Sequence, residues 1–147
     1  MSSNIFEVTG ESVLTLYDSH VSGRATSALL VVSETPLGET AREALGKSAA
    51  SLEFGSAPLA FVTIKGPDAN LGADDVRTII EGIDPVALVA TDARAGEALS
   101  AAYRMPVTLD TDNCLLGRVA IIFQDFEGMM ETPADKQRAW ALLKKLR

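Results

Sequence analysis

From residue 28 onward, short unbroken apolar runs alternate with segments in which apolar positions recur every three or four residues. Residues 28–32 (Ala-Leu-Leu-Val-Val) are apolar throughout, as a strand is when both its faces are buried. Thr35-Pro36-Leu37-Gly38 breaks that run. A helix rich in Ala, Glu, Arg and Leu is predicted over 39–53, with Gly55 as its stop. Residues 59–64 read as a second strand, ended by Gly66-Pro67-Asp68. A second helix is predicted over 74–81, with Val76, Ile79 and Ile80 on one face. Asp84-Pro85 turns the chain into a third strand at 86–90, and a third helix is expected at 93–104. Residues 105–112 contain a short extended piece, and 119–123 form the last clear strand. Thr132 and Pro133 open a final helix as N-cap and first residue, with Asp135 placed to complete a capping box. On that helix Trp140, Leu143 and Leu146 are expected to face the core.

Before residue 28 the pattern is weaker. Residues 1–10 read as a flexible arm, 11–20 as a short amphipathic helix carrying Val13, Leu14, Leu16 and Tyr17, and 21–27 as a loop. Strands that alternate with helices imply a mostly parallel central sheet, here of about four strands, covered on both faces: an α/β three-layer sandwich. The 147 residues fit one domain, 1–147. No repeat or low-complexity tract divides it.

Ligands of such folds bind beyond the C-terminal ends of the strands. Glu34 and Asp125 stand there, after the first and last strands. A carboxylate pair can act as acid and base, although strand-end loops are polar in any case. Ala41 with Gly46-Lys47-Ser48 loosely matches a phosphate loop. Such a loop must follow its strand at once, whereas Arg42, Glu43, Ala44 and Leu45 are helix formers. An unbroken helix through 41–50 would exclude a nucleotide site there. His20 lies among polar residues and is expected at the surface. Cys114 follows Asp112-Asn113 in an expected loop and has no second histidine to activate it. One His and one Cys also rule out a closed Cys/His metal site, so no metal or cofactor is expected.

Charge narrows the partners. The net charge is −7, whereas nucleic-acid binding rests on a basic surface. Residues 131–147 nevertheless carry +3, and Lys136, Lys144 and Lys145 are candidates for a local basic patch. Phe126, Met129 and Met130 form an apolar cluster with two readings. It is either a partner surface, since methionines adapt to partners, or core packing under the last helix. Ile5, Phe6 and Val8 of the arm are a second candidate surface. No apolar run approaches the ~18 residues that span a bilayer. The N-terminus lacks the basic start and apolar stretch of a secretory signal, so a cytoplasmic protein is expected.

Four segments resemble the uracil-DNA glycosylase superfamily in order, over about residues 11–147. Residues 29–36 (Leu-Leu-Val-Val-Ser-Glu-Thr-Pro) are similar to a buried strand that runs into Gly-Glu-(Ala/Gly)-Pro-Gly. Residues 61–65 resemble a strand ending in Thr-Asn-Val-Val-Lys, and 84–90 one that follows Ile-x-Pro. Met129, Met130, Pro133, Lys136 and Trp140 fall at the spacing of the family's final segment, in which a His-Pro pair precedes them. The resemblance implies a glycosylase-like three-layer fold. It also implies that the family's chemistry is lost. Glu34 matches the carboxylate that positions water, but Ser33 and Leu37 replace the flanking glycines. The loop carrying a base-stacking Phe is deleted. Thr63 or Ile64 stands where an Asn reads the base. Asp125 stands where a His stabilises the leaving base, and a carboxylate there opposes a developing anion. Phe126 replaces the Pro that follows. Ser19, Ser22 and Gly66 lie near three cysteine positions of the iron–sulfur branch, so no cluster is implied.

A scaffold kept without its polar constellation points to a non-catalytic adaptor or accessory factor with a protein partner, in DNA replication or repair. The psi subunit of the bacterial replicative polymerase, a short glycosylase-like adaptor in the clamp-loader assembly, is an analogy at the level of fold. A diverged enzyme using Glu34 and Asp125 is the second expectation, and a nucleotide-binding protein using Gly46-Lys47-Ser48 the third.

Overall fold

The computed structural model describes residues 10–24, 26–52 and 59–146. Residues 1–9 of the expected arm, with Ile5, Phe6 and Val8, and the helix stop at Gly55 lie outside the described residues. The chain runs α1 (Gly10–Leu16), β1 (Val21–Gly23), β2 (Leu29–Ser33), α2 (Glu39–Ser51), β3 (Leu59–Thr63), α3 (Ala73–Ile83), β4 (Ala87–Ala90) and α4 (Ala93–Tyr103). It continues through β5 (Thr111–Leu115), β6 (Arg118–Ile122), α5 (Phe126–Met129) and α6 (Pro133–Leu143), ending in a 3-10 turn, Lys144–Leu146.

The sheet has six strands in the order β1-β3-β2-β4-β6-β5, and it is mixed. This corrects the expectation of about four, mostly parallel strands. The four strands read from apolar runs are the central ones, and they are parallel to one another. The two added edge strands are antiparallel to their neighbours. Both were hidden by composition. β1 is only Val-Ser-Gly, in a stretch that reads as loop. It crosses so close to β3 that a Cβ on Gly23 would lie 2.7 Å from the Ala60 Cα. β5 is Thr-Asp-Asn-Cys-Leu, polar for three of its five residues, because an edge strand with one wet face needs no apolar run. Cys114 therefore lies on an exposed edge strand, not in a loop.

Alternate residues of the central strands feed two cores. Leu30, Val32, Leu88, Ala90 and Ile122 meet Val76, Ile79 and Ile80 of α3 and Leu99 of α4. Leu29, Val31, Val89, Ile121 and Phe123 meet Leu45 of α2 and Leu143 of α6. All five residues of β2 are buried. Each large apolar side chain so placed contributes about 1.5–3 kcal/mol relative to exposure. Val76, Ile79 and Ile80 occupy the face their spacing predicts, and Leu143 and Leu146 are buried as expected, with Trp140 half-buried against the same core. Thr132 caps α6 by accepting the Asp135 amide at 3.2 Å, while the Asp135 carboxylate pairs with Arg138 at 2.7 Å.

Arg118, at the start of β6, fastens the opposite end of the sheet. Its guanidinium reaches Glu81 at 2.8 Å, Asp84 at 2.6 Å and the Pro85 carbonyl at 2.9 Å. Among the described residues no helix is long and apolar enough to cross a membrane.

Candidate functional site

The parallel register brings the strand ends level. Ser33 pairs with Thr63, Val32 with Ala90, and Ala90 with Ile122. The residues that follow therefore emerge along one edge of the sheet. The chain leaves β2 toward α2 on one face and leaves β4 toward α4 on the other. A crevice opens at such a divergence, between two strands whose connections part. Here it is a hollow of about 170 Å³ lined by Glu34, Leu37, Thr91, Asp92, Asp125 and Glu127, among others. The two candidate carboxylates, Glu34 and Asp125, thus share one site.

Most of its carboxylates are held by the backbone. Asp92 caps α4, accepting the Ala95 amide at 2.7 Å, and its second oxygen accepts the Glu34 amide at 3.0 Å. Asp125 caps α5 by accepting the Gly128 amide at 3.0 Å. Its main chain bridges to that of Asp92, just beyond the ends of β4 and β6. Glu127 accepts the Gly38 amide at 2.7 Å and so ties α5 to the start of α2. Glu34 is the looser member: its side chain is one-third exposed and lies 3.7 Å from the Lys65 ammonium. The hollow is smaller than the ~300–1,000 Å³ usual for small-molecule sites. Among the described residues no group of His, Cys, Asp and Glu is arranged to hold a metal ion. The lining could orient a cation or a hydrogen-bond donor, but among the described residues it holds no positive group; Lys65 stands outside it, paired with Glu34.

Other candidates fall elsewhere. α2 is continuous from Glu39 to Ser51, and Ser48 donates to the Ala44 carbonyl at 2.8 Å within it. Gly46-Lys47-Ser48 therefore forms no phosphate-wrapping loop, and the nucleotide-binding reading is excluded. His20 is not a free surface residue. It is half-buried, with Nδ1 2.8 Å from the Thr63 carbonyl. Its ring lies so close to Gly66 that any Cβ there would collide with it. Of the two readings of the apolar cluster, Phe126 takes the core one. It is 1% exposed, with its ring centroid 5.0 Å from that of Phe123. It is thus not part of a partner surface. Met129 and Met130 are half-buried against the same core and line hollows at its rim.

The basic patch is divided. Lys145 pairs with Asp112 at 3.5 Å, beside a hollow of about 350 Å³ that also touches Met129 and Arg138. Lys136 lines a separate groove between α2 and α6, with Lys47 and Trp140. The Lys144 ammonium lies 5.8 Å over the Trp140 ring. Glu127 is a site residue that sequence reasoning missed, because its partner Gly38 lies far away in the chain. Asp92 carries a readable signal, an Asp between a buried strand and an Ala-rich helix, which is an N-cap pattern.

In comparison with known proteins, no family model matches this chain, and no curated protein matches it either.

Proposed function

We propose that this chain is a non-catalytic α/β domain on a uracil-DNA glycosylase-like three-layer scaffold, acting as a protein–protein adaptor or accessory factor. One observation carries the reading: the crevice at the strand ends spends its carboxylates on structure. Asp92, Asp125 and Glu127 each accept a backbone amide. A base-excision site needs donors aimed at the departing anion, and this crevice is lined by acids. It also needs a pocket for an extruded base and an aromatic to stack on it. The resemblance in segments 29–36, 61–65, 84–90 and 125–140 supports the scaffold, and it sets the adaptor in DNA replication or repair. The fold-level analogy to the psi subunit points the same way.

A second reading has one observation in its favour. Glu34 and Asp125 line the same hollow, and Glu34 is held only by a long ion pair. A diverged hydrolytic enzyme could use that pair.

The test is to incubate the purified protein with labelled single- and double-stranded uracil-containing DNA at low salt, following binding and base release together. The adaptor reading expects neither. Release that disappears in Glu34→Gln would replace it with the enzyme reading. Binding without release would make the chain a DNA-associated accessory protein.

A further inference from the structure

Three hollows neighbour one another on the side of the molecule formed by α2, α5 and α6. The strand-end crevice shares Glu127 with a second hollow of about 280 Å³ at the start of α2. That hollow shares Thr40 and Met130 with the third, the groove of about 270 Å³ between α2 and α6. Through these shared residues the hollows adjoin as a trough along α2 and α6, and its charge changes sign along its length. Glu39, Glu127 and Glu131 rim the middle hollow. Lys47 and Lys136 rim the groove, with Glu43 as its one acid. Lys144 adds a third ammonium above Trp140.

The lysines are distributed unevenly. The chain has five. Lys65 and Lys145 each face a carboxylate, Glu34 and Asp112. Among the described residues the other three, which have no ion pair, are those around this groove. In a chain of net charge −7, Lys47 and Lys136, neither of them in an ion pair, stand beside the half-buried Trp140 and Met130 and match something negative and partly apolar.

We infer that this trough docks an extended segment of a partner protein that is polarised in charge. Its carboxylates lie against Lys47 and Lys136, an apolar side chain covers Met130 and Trp140, and its cations lie against Glu39, Glu127 and Glu131. The inference rests on the adaptor reading and says where the partner sits. Charge complementarity of this kind sets register and direction as much as affinity. A nucleic-acid strand fits less well, because its uniform negative charge would meet the acids of the middle hollow.

Trp140 is the only tryptophan in the chain, so its fluorescence reports on this groove directly. The probes are synthetic peptides of equal length with a central leucine: polarised acidic-to-basic, polarised basic-to-acidic, uniformly acidic and uniformly basic. A thymidine oligonucleotide is the fifth probe. One of the two polarised peptides is expected to shift Trp140 emission saturably and to bind more tightly than the other probes. Its affinity should fall about tenfold or more in the Lys47→Glu, Lys136→Glu double variant, whose far-ultraviolet circular dichroism stays that of the wild type. Both lysines are exposed and unpaired, so the fold is not at stake. No emission change with either polarised peptide, tighter binding of a uniform peptide or the oligonucleotide, or an unchanged affinity in the double variant would overturn the inference. A protein partner retained equally by wild type and double variant would also overturn it while leaving the adaptor reading standing.

Discussion

The backbone amide of Glu34 donates to the carboxylate of Asp92 at 3.0 Å, joining the loop after β2 to the first turn of α4. The other oxygen of that carboxylate accepts the Ala95 amide at 2.7 Å. One side chain therefore fixes both walls of the crevice. Asp92→Ala removes a helix cap, about 1 kcal/mol, and leaves the Glu34 amide without its acceptor, about 1–3 kcal/mol more. Urea unfolding should show a loss of roughly 2–4 kcal/mol. Asp92→Asn, which keeps one acceptor oxygen, should lose less. A loss below about 0.5 kcal/mol in Asp92→Ala would mean that this carboxylate does not hold the fold.

The β5–β6 connection contains a strained residue. Leu115 pairs with Arg118, so only Leu116 and Gly117 form the turn, at φ +48° and +85°. Two positive φ values fit the type I′ turn that suits the twist of a hairpin. Glycine adopts them freely, but a leucine in the left-handed region costs about 1–2 kcal/mol. Leu116 is 58% exposed and loses little burial when replaced. Leu116→Asn should stabilise the protein by about 0.5–1 kcal/mol, seen as a higher Tm. An unchanged or lower Tm would show that the leucine makes a contact worth more than its strain.

Gly96 of α4 lies directly on β6. A Cβ at that position would meet Ile122 Cγ2 at 2.5 Å. Gly to Ala in a helix ordinarily gains about 1 kcal/mol. Here Ile122 is fully buried and β-branched, so it cannot swing aside, and overpacking costs about 1–3 kcal/mol. Gly96→Ala should therefore be destabilising on balance, by about 1 kcal/mol, in chemical denaturation. A stabilised variant would mean that α4 can lift from the sheet at no cost.

Tyr103 makes stability depend on pH. Burial, and then the hydrogen bond its hydroxyl donates to Glu81 at 2.6 Å, push the phenol well above its ordinary value of 10.0. The folded state thus holds this proton more tightly than the unfolded state. The stabilisation is fully present below pH 10 and is lost as pH rises from there toward the folded value. Between pH 8 and pH 11, wild type should lose more stability than Tyr103→Phe, which has no proton to lose. Parallel curves for the two proteins in urea titrations would show that the phenol is not buried in the folded state.

The central strands were readable because both of their faces are buried. An unbroken run such as Leu-Leu-Val-Val at 29–32 has few other uses. The edges were not. Thr111, Asp112, Asn113 and Cys114 alternate between half-buried and exposed, and Leu116-Gly117 lacks the Asn-Gly or Asp-Gly signature of a two-residue hairpin. The positions of Glu34 and Asp125 followed from topology, since both come directly after a parallel strand. The tie between Glu127 and Gly38 spans 89 positions and leaves no local trace. His20 looked exposed because Asp18 and Ser19 precede it, yet its partner, the Thr63 carbonyl, lies 43 residues on.

The parallel pairing of β2 has a kinetic side. Leu29 is matched to Leu59 on one flank and to Ala87 on the other. Neither ladder can start until a long stretch of chain has closed on itself, and that closure costs entropy before any contact repays it. Within the sheet only the β5–β6 hairpin joins strands that are adjacent in sequence through a short turn. It can form early and wait. Refolding should then be set by when β4 arrives beside β2, and a change at the Leu116 turn should show in that rate, because the hairpin is already formed when the step occurs.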